Sequence, residues 1–234
     1  MSGEASGSLS SLTSVTFNAR LEDVKLEASP NSSLEIPDGI YYIVLADLVE
    51  STSYMAKMGN DAGIARFREF ERSARLALKH ALSASPNNSG RFVKTVGDAV
   101  LLVFNHFPDI VQWYLNFDGV LNVASIKTEL MKARTWVHVG ELRFENDDLN
   151  GLCISHLIKV EQKAKEKAEA GRVMVTDLAK QIAEPALFSE HCAFDSCGSV
   201  TLEGHPSVKL YMVTKADLPF LITKQLRDGR GKSP

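Results

Sequence analysis

No stretch of this sequence approaches the roughly 20 consecutive apolar residues that a membrane-crossing helix requires. Cysteine is scarce. Cys153, Cys192 and Cys197 cannot all pair within one chain and show no zinc-ligand spacing, so neither a disulfide framework nor a structural zinc site is expected. Three cysteines that cannot all pair suit a reducing compartment, and the expected location is the cytoplasm. Basic charge is also lacking. Lys and Arg number 26 against 29 Asp and Glu, a net charge of −3, whereas a nucleic-acid coat or a binder of anionic membranes is usually basic. With 8 Pro and 15 Gly in 234 residues, collagen-like and low-complexity classes fall away too. Residues 1–13 carry neither the basic nor the apolar region of a secretory leader.

What is present is a globular balance of 44% hydrophobic and 24% charged residues. The Ser- and Gly-rich start reads as a flexible segment over 1–37. Within it the alternation of Val15, Phe17, Ala19 and Leu21 offers a possible edge strand. The main domain is expected over 38–217 and a tail over 218–234. From Gly39 to Asp47 an apolar, β-rich run ends on a carboxylate, the pattern of a buried strand. Ile64, Phe67, Phe70, Ala74, Leu78 and Ala81 recur at helical spacing, and Gly59-Asn60 breaks this helix from a shorter one before it. Two β-rich runs, 91–96 and 99–104, flank Gly97-Asp98, a strong signal for a type II′ hairpin. A helix is expected from Pro108 to about Ala133 and a strand over 135–144. A turn and helix follow over 151–169, a strand over 172–176, a helix capped by Thr176, and a last strand over 208–213. The order βαββαβ followed by α and β predicts an α+β, ferredoxin-like fold with additional α/β elements and an antiparallel-rich sheet.

Asp47 and Asp98 are the chemically informative residues. Each is also a common cap or turn residue, and singly each reads as that. If their strands are neighbours, however, two carboxylates meet at one sheet edge and repel unless a cation lies between them. Hard divalent ions take such oxygen ligands and leave positions for phosphates, which is what phosphoryl transfer uses.

Five blocks, in order, carry a family resemblance: YYIVLADLVESTSYM (41–55), RFVKTVGDAVLLVF (91–104), RTWVHVGELRF (134–144), DLNGLCISHLIKVEQKA (148–164) and GRVMVTDLAKQI (171–182). Together they resemble the catalytic domain of the class III nucleotidyl cyclases. The resemblance implies two ions, Mg²⁺ or Mn²⁺, held by Asp47, Asp98 and the carbonyl of Leu48. It implies a triphosphate cradle from Val49, Glu50, Ser51 and Thr52, with Glu50 standing where the family usually has Gly. Lys94 matches the lysine that reads the base, and Asp148 matches its partner, with Asp147 adjacent. Ser155 stands for the ribose-positioning Asn, and Lys159 for the Arg that stabilises the transferring phosphate. Ser155 and Lys159 fall four apart, on one helical face. Lys keeps the charge of Arg without its planar fork. Glu203 stands where a triphosphate-binding Lys is usual, so that role is vacant or moves to His205 or Lys209.

In the changed residues at 155 and 159, and in an expected stand-alone domain without a sensor module, the chain resembles the short bacterial pyrimidine cyclases of anti-phage Pycsar systems. The resemblance thus implies conversion of UTP to cyclic UMP and pyrophosphate by a homodimer with composite sites. It also implies no nucleic-acid or membrane partner, and a separate cyclic-nucleotide-binding effector that reads the product. Adenylyl cyclase activity and a degenerate pseudocyclase are the alternatives. A diguanylate-type synthase lacks support, because the hairpin reads Val96-Gly97-Asp98-Ala99.

Overall fold

Alternation along the first strand sets out the whole architecture. In the computed structural model, which describes residues 36–84, 88–125, 129–145, 148–183 and 192–216, β1 spans Gly39–Leu48 and is buried from Tyr42 onward. Successive side chains of a strand point to opposite faces. Accordingly Tyr42, Val44, Ala46 and Leu48 enter one apolar cluster, and Ile43 and Leu45 enter the other. A strand with core on both sides has no polar face to display, which is why its sequence reads as a nearly unbroken apolar run.

Two helices follow, α1 (Ser51–Met58) and α2 (Asn60–Ala84), separated at Gly59, whose φ of 89° lies in the left-handed region. Next come β2 (Arg91–Val96) and β3 (Ala99–Phe104). Their turn has positive φ at Gly97 (63°) and not at Asp98, the pattern of the expected type II′ hairpin. The helix α3 covers Phe107–Ala124. It stops short of the expected Ala133, because the Ser125 hydroxyl donates back to the Leu121 carbonyl and accepts from the Met131 amide, turning the chain toward the sheet. A long strand β4 (Ala133–Glu145) pairs with the short β5 (Asp148–Asn150). The helix α4 (Leu152–Ala164) ends in a single 3-10 turn, Lys165–Lys167. The remaining elements are β6 (Arg172–Thr176), α5 (Asp177–Ala183), β7 (Cys192–Val200) and β8 (Val208–Ala216). β5 and β7 were not expected from the sequence. The possible edge strand at 15–21 lies outside the described residues.

The sheet runs β2-β3-β1-β4-β6-β8-β7, with β5 attached to β4. β1 is antiparallel to both β3 and β4, and among the described strands only β4–β6 is parallel. The first four strands, in the order β2-β3-β1-β4, are the ferredoxin-like core that the element order predicts. Helices α2 and α3 pack on the Val44 face. There Trp113 stacks on Phe117 at 4.9 Å between ring centroids, and its indole N–H donates to the Ala74 carbonyl. On the opposite face Ile154, Leu157 and Val160 of α4 pack with Leu45 and Leu101. Asp47 shares the parity of Ile43 and Leu45, so it emerges on the α4 side of the sheet.

Candidate functional site at the β1–β3 edge

Asp47 is opposite Ala99 in the β1–β3 register, one residue from Asp98 at the hairpin tip. The Leu48 amide donates to the Asp98 carbonyl at 3.2 Å, which ties the two segments together. The Ser51 hydroxyl, at the start of α1, donates to the Asp98 carboxylate. Asp47 is buried, with a side chain 4% exposed, and its Oδ2 meets two cations: Arg134 Nη1 of β4 at 3.3 Å and Lys165 Nζ at 3.2 Å. Glu161 of α4 sits beside them, 3.6 Å from Lys165. Burial raises the pKa of Asp47, the nearby Asp98 raises it further, and Lys165 and Arg134 oppose both. Burial and Asp47 likewise raise Glu161. For Lys165, burial disfavours the charge, but Asp47 and Glu161 more than offset it and the net shift is upward. The strand edge therefore concentrates carboxylate that only cations make tolerable.

The expected sites Asp47, Leu48, Asp98 and Ser51 are thus brought together. Lys94 lies two strands away on β2, opposite Leu101, and hence on the same sheet face as Asp47. The 49–52 turn differs in one respect from the expected cradle. The Val49 amide is already given to the Lys132 carbonyl at 2.9 Å, so the amides open to an anion begin at Glu50. Glu50 holds φ 60°, ψ 22°, the only non-glycine positive φ among the described residues. It accepts the left-handed backbone that a glycine would take without strain.

Ser155 and Lys159 do not join Asp47 within one chain. Both are exposed, whereas Ile154, Leu157, Val160, Glu161 and Ala164 form the buried face of α4. Lys159 and Glu161 are two residues apart, about 200° around a helix of 3.6 residues per turn. The face carrying Ser155 and Lys159 therefore points away from the chain's own Asp47. Ser155 lines an open groove of about 720 Å³ together with Glu141, Arg143, Asn150 and Leu152, and Leu152 is 92% exposed. Asp148 opens β5 opposite Glu145.

Arg134, Glu161 and Lys165 escaped the sequence reading. The i,i+4 spacing of Glu161 and Lys165 was the available signal, but nothing local showed that their end of α4 meets Asp47. A histidine stack was missed as well. His138 of β4 lies 5.0 Å from His156 of α4, and His156 meets His205 edge-on at 5.4 Å. The expected stand-in His205 thus packs against α4, while Lys209 sits on β8 opposite Ser199. His138 Nδ1 shares a 2.9 Å hydrogen bond with the Thr176 hydroxyl. Burial, followed by the charge of His156, lowers the His138 pKa to about 4. A histidine depressed below its unfolded value near 6.5 stays neutral in the fold while the unfolded chain takes up a proton. Stability should therefore fall as pH drops from about 6.5 to about 4, by about 3 kcal/mol for this one group. Urea unfolding at stepped pH should show the loss, and His138→Gln should flatten that part of the profile.

Two carboxylates and a backbone carbonyl are hard oxygen donors, and the raised pKa of Asp47 marks a charge in need of a cation, so the residues fit Mg²⁺ or Mn²⁺. Among the described residues no group of three or more His, Cys, Asp or Glu could hold a metal, so an ion here would complete its shell with ligands from outside that set.

Neither a protein-family model nor a curated protein sequence matches this chain. Solved structures do. The guanylate cyclase domain of RhGC from Catenaria anguillulae, in complex with GTP, superposes with a TM-score of 0.59 at 14% identity, over 78% of this chain and 100% of that one. This chain has the fold of a nucleotidyl cyclase domain. The adenylyl cyclase CyaB from P. aeruginosa gives a TM-score of 0.57 at 12% identity, covering 77% of this chain and 97% of its own. An adenylate/guanylate cyclase/hydrolase from Silicibacter pomeroyi gives 0.56 at 18% identity, covering 76% and 98%. In the cyclase-like fold of this chain, the β1–β3 edge brings Asp47 and Asp98 side by side. No helix among the described residues is long and apolar enough to cross a membrane.

Proposed function

We propose that the protein is a nucleotidyl cyclase, acting as a homodimer, that converts UTP to cyclic UMP and pyrophosphate. The observation that carries this reading is the meeting of Asp47 and Asp98 at one sheet edge, with Ser51 bonded to Asp98 and cationic side chains drawn to Asp47. Asp47, Asp98 and the Leu48 carbonyl would hold two divalent ions, which when bound lower the pKa of the ribose 3′-hydroxyl and neutralise the triphosphate. The first amides of α1, from Glu50 to Thr52, face the triphosphate as a helix N-terminus does. Lys159 of the second chain lends its ammonium to the charge that grows on the α-phosphate, and Ser155 orients the ribose. The 3′-oxygen bonds to the α-phosphorus, the bond from that phosphorus to the bridging oxygen breaks, and pyrophosphate leaves. The 3′-proton passes to solvent.

The outward face of α4 supports a two-chain site, since Ser155 and Lys159 can meet an Asp47 edge only on another copy. One of the similar solved structures is a guanylyl cyclase domain described as a non-canonical dimer. In the anti-phage setting of the pyrimidine cyclases that the sequence resembles, a separate cyclic-nucleotide-binding effector would read the product.

Lys94 donates and an ionised Asp148 accepts, which matches the O4 and N3–H edge of uracil. The same pair also matches the N1 and N6 edge of adenine, and this favours adenylyl cyclase as the second reading. In a competition among equal concentrations of four NTPs with Mn²⁺, cyclic UMP is the expected main product. Cyclic AMP as the main product would replace the pyrimidine reading and keep the cyclase. No cyclic product from any NTP, with nucleotide still bound, would point to the pseudocyclase.

A further inference from the structure

Arg134 and Lys165 share one oxygen of Asp47 but are held differently. Arg134 lies within β4, opposite Asp47 in the β1–β4 register, with a side chain 15% exposed. Lys165 follows the last residue of α4, and its side chain is 46% exposed. Its ammonium reaches Asp47 Oδ2 at 3.2 Å and lies 3.6 Å from Glu161 Oε1, a buried atom with no hydrogen-bond partner among the described residues. Of the two cations, Lys165 is the one that can leave. A flexible four-carbon stem with a compact ammonium on a half-exposed side chain allows this more readily than the planar guanidinium of the partly buried Arg134. Asp47 therefore has one more deeply seated and one more exposed positive neighbour.

We propose that Lys165 is a built-in competitor for the divalent cation at Asp47, one that yields the carboxylate when a nucleotide triphosphate arrives and then pairs with the triphosphate. In the apo protein its ammonium occupies Asp47 Oδ2 and weakens cation binding at this edge. The triphosphate brings negative charge of its own, which gives the released ammonium a new partner. Glu203 stands where the resemblance leads one to expect a triphosphate lysine, and Lys165 supplies that charge from the end of α4 instead. Cation and nucleotide would consequently load together rather than in sequence. The nucleotide half of the proposal rests on the cyclase reading; the competition at Asp47 does not.

The test is Mn²⁺ titration of the full chain, with free Mn²⁺ read by electron paramagnetic resonance and no nucleotide present. Lys165→Met should bind Mn²⁺ about tenfold more tightly than the wild type, the scale of one charge-assisted contact removed from a carboxylate. Lys165→Arg should bind like the wild type, since a guanidinium also occupies Asp47. In the presence of a non-hydrolysable UTP analogue the order should reverse, with the analogue binding Lys165→Met about tenfold more weakly. Lys165 is half-exposed, so the variant should fold; if Met at this position aggregates, Lys165→Gln serves the same purpose. Equal or weaker Mn²⁺ binding by the charge-free variants would overturn the proposal. An Asp47→Asn variant separates the two readings. If it binds Mn²⁺ as well as the wild type, the metal site of the cyclase reading is wrong. If it loses Mn²⁺ while Lys165→Met gains nothing, the Lys165 proposal alone fails.

Discussion

Asp98→Ala should lower cyclic nucleotide formation by on the order of 10³-fold or more while the fold survives. Two-ion catalysis supplies several kcal/mol of charge stabilisation, and each ~1.4 kcal/mol is tenfold in rate. Asp98 is the cleaner of the two carboxylates to remove. It sits half-exposed at a hairpin tip, where its carboxylate accepts a hydrogen bond from the Ser51 hydroxyl. Loss of that contact should cost only about 1 kcal/mol of stability. Asp47 is different. It is buried and balances Arg134, so Asp47→Ala leaves a partly buried guanidinium without its counter-ion, at a cost of about 3 kcal/mol. The two variants should therefore be equally inactive and unequally stable. Pyrophosphate release measured beside a thermal melt distinguishes them. Near wild-type release from a well-folded Asp98→Ala protein would remove the assigned site.

Mixing Asp98→Ala chains with Lys159→Ala chains, each inactive alone, should restore about a quarter of the wild-type activity. If dimers form at random, half of them are mixed, and each mixed dimer has one intact site out of two. The expectation follows from α4, whose buried face carries Glu161 toward Asp47 of the same chain while Lys159 faces outward. Lys159 is exposed and its truncation should leave the monomer intact. Confirmed subunit exchange without recovered activity would show that each site is built within a single chain. Recovery well above a quarter would show that mixed dimers form preferentially.

Much of this architecture is visible in local pattern. The apolar run 39–47 marks a strand with core on both faces, because no polar side of such a strand needs to reach water. Gly97-Asp98 marks the β2–β3 hairpin, because a two-residue loop needs a positive φ that glycine takes without strain. Thr176 caps α5 through the Ala179 amide, as its position before the helix suggests. Strand β7 was not legible, because Ala193–Ser199 lacks the strict alternation of a half-buried strand. It pairs with β8 through two register irregularities, at Ala193/Phe194 and Ser196/Ser199. The early stop of α3 was equally hidden, since the Ser125 hydroxyl ends the helix through a contact to Met131 that no periodicity announces.

Within the site the division follows the range of the interactions. The sequence by itself determined that Asp47 ends a buried strand, that Asp98 tips a hairpin, and that Ser155 and Lys159 share a helical face. Each of these depends on residues within one turn or one strand, where backbone geometry is periodic. Only the tertiary structure decided that β1 lies beside β3, so that the two carboxylates share an edge, and that Arg134 and Lys165 converge on Asp47 from 87 and 118 residues away. It also decided that the Val49 amide is committed to Lys132 and that His138, His156 and His205 stack. Such contacts depend on which faces of α4 and the sheet bury against each other. That choice is made by the whole apolar core, and no single segment carries a record of its partner.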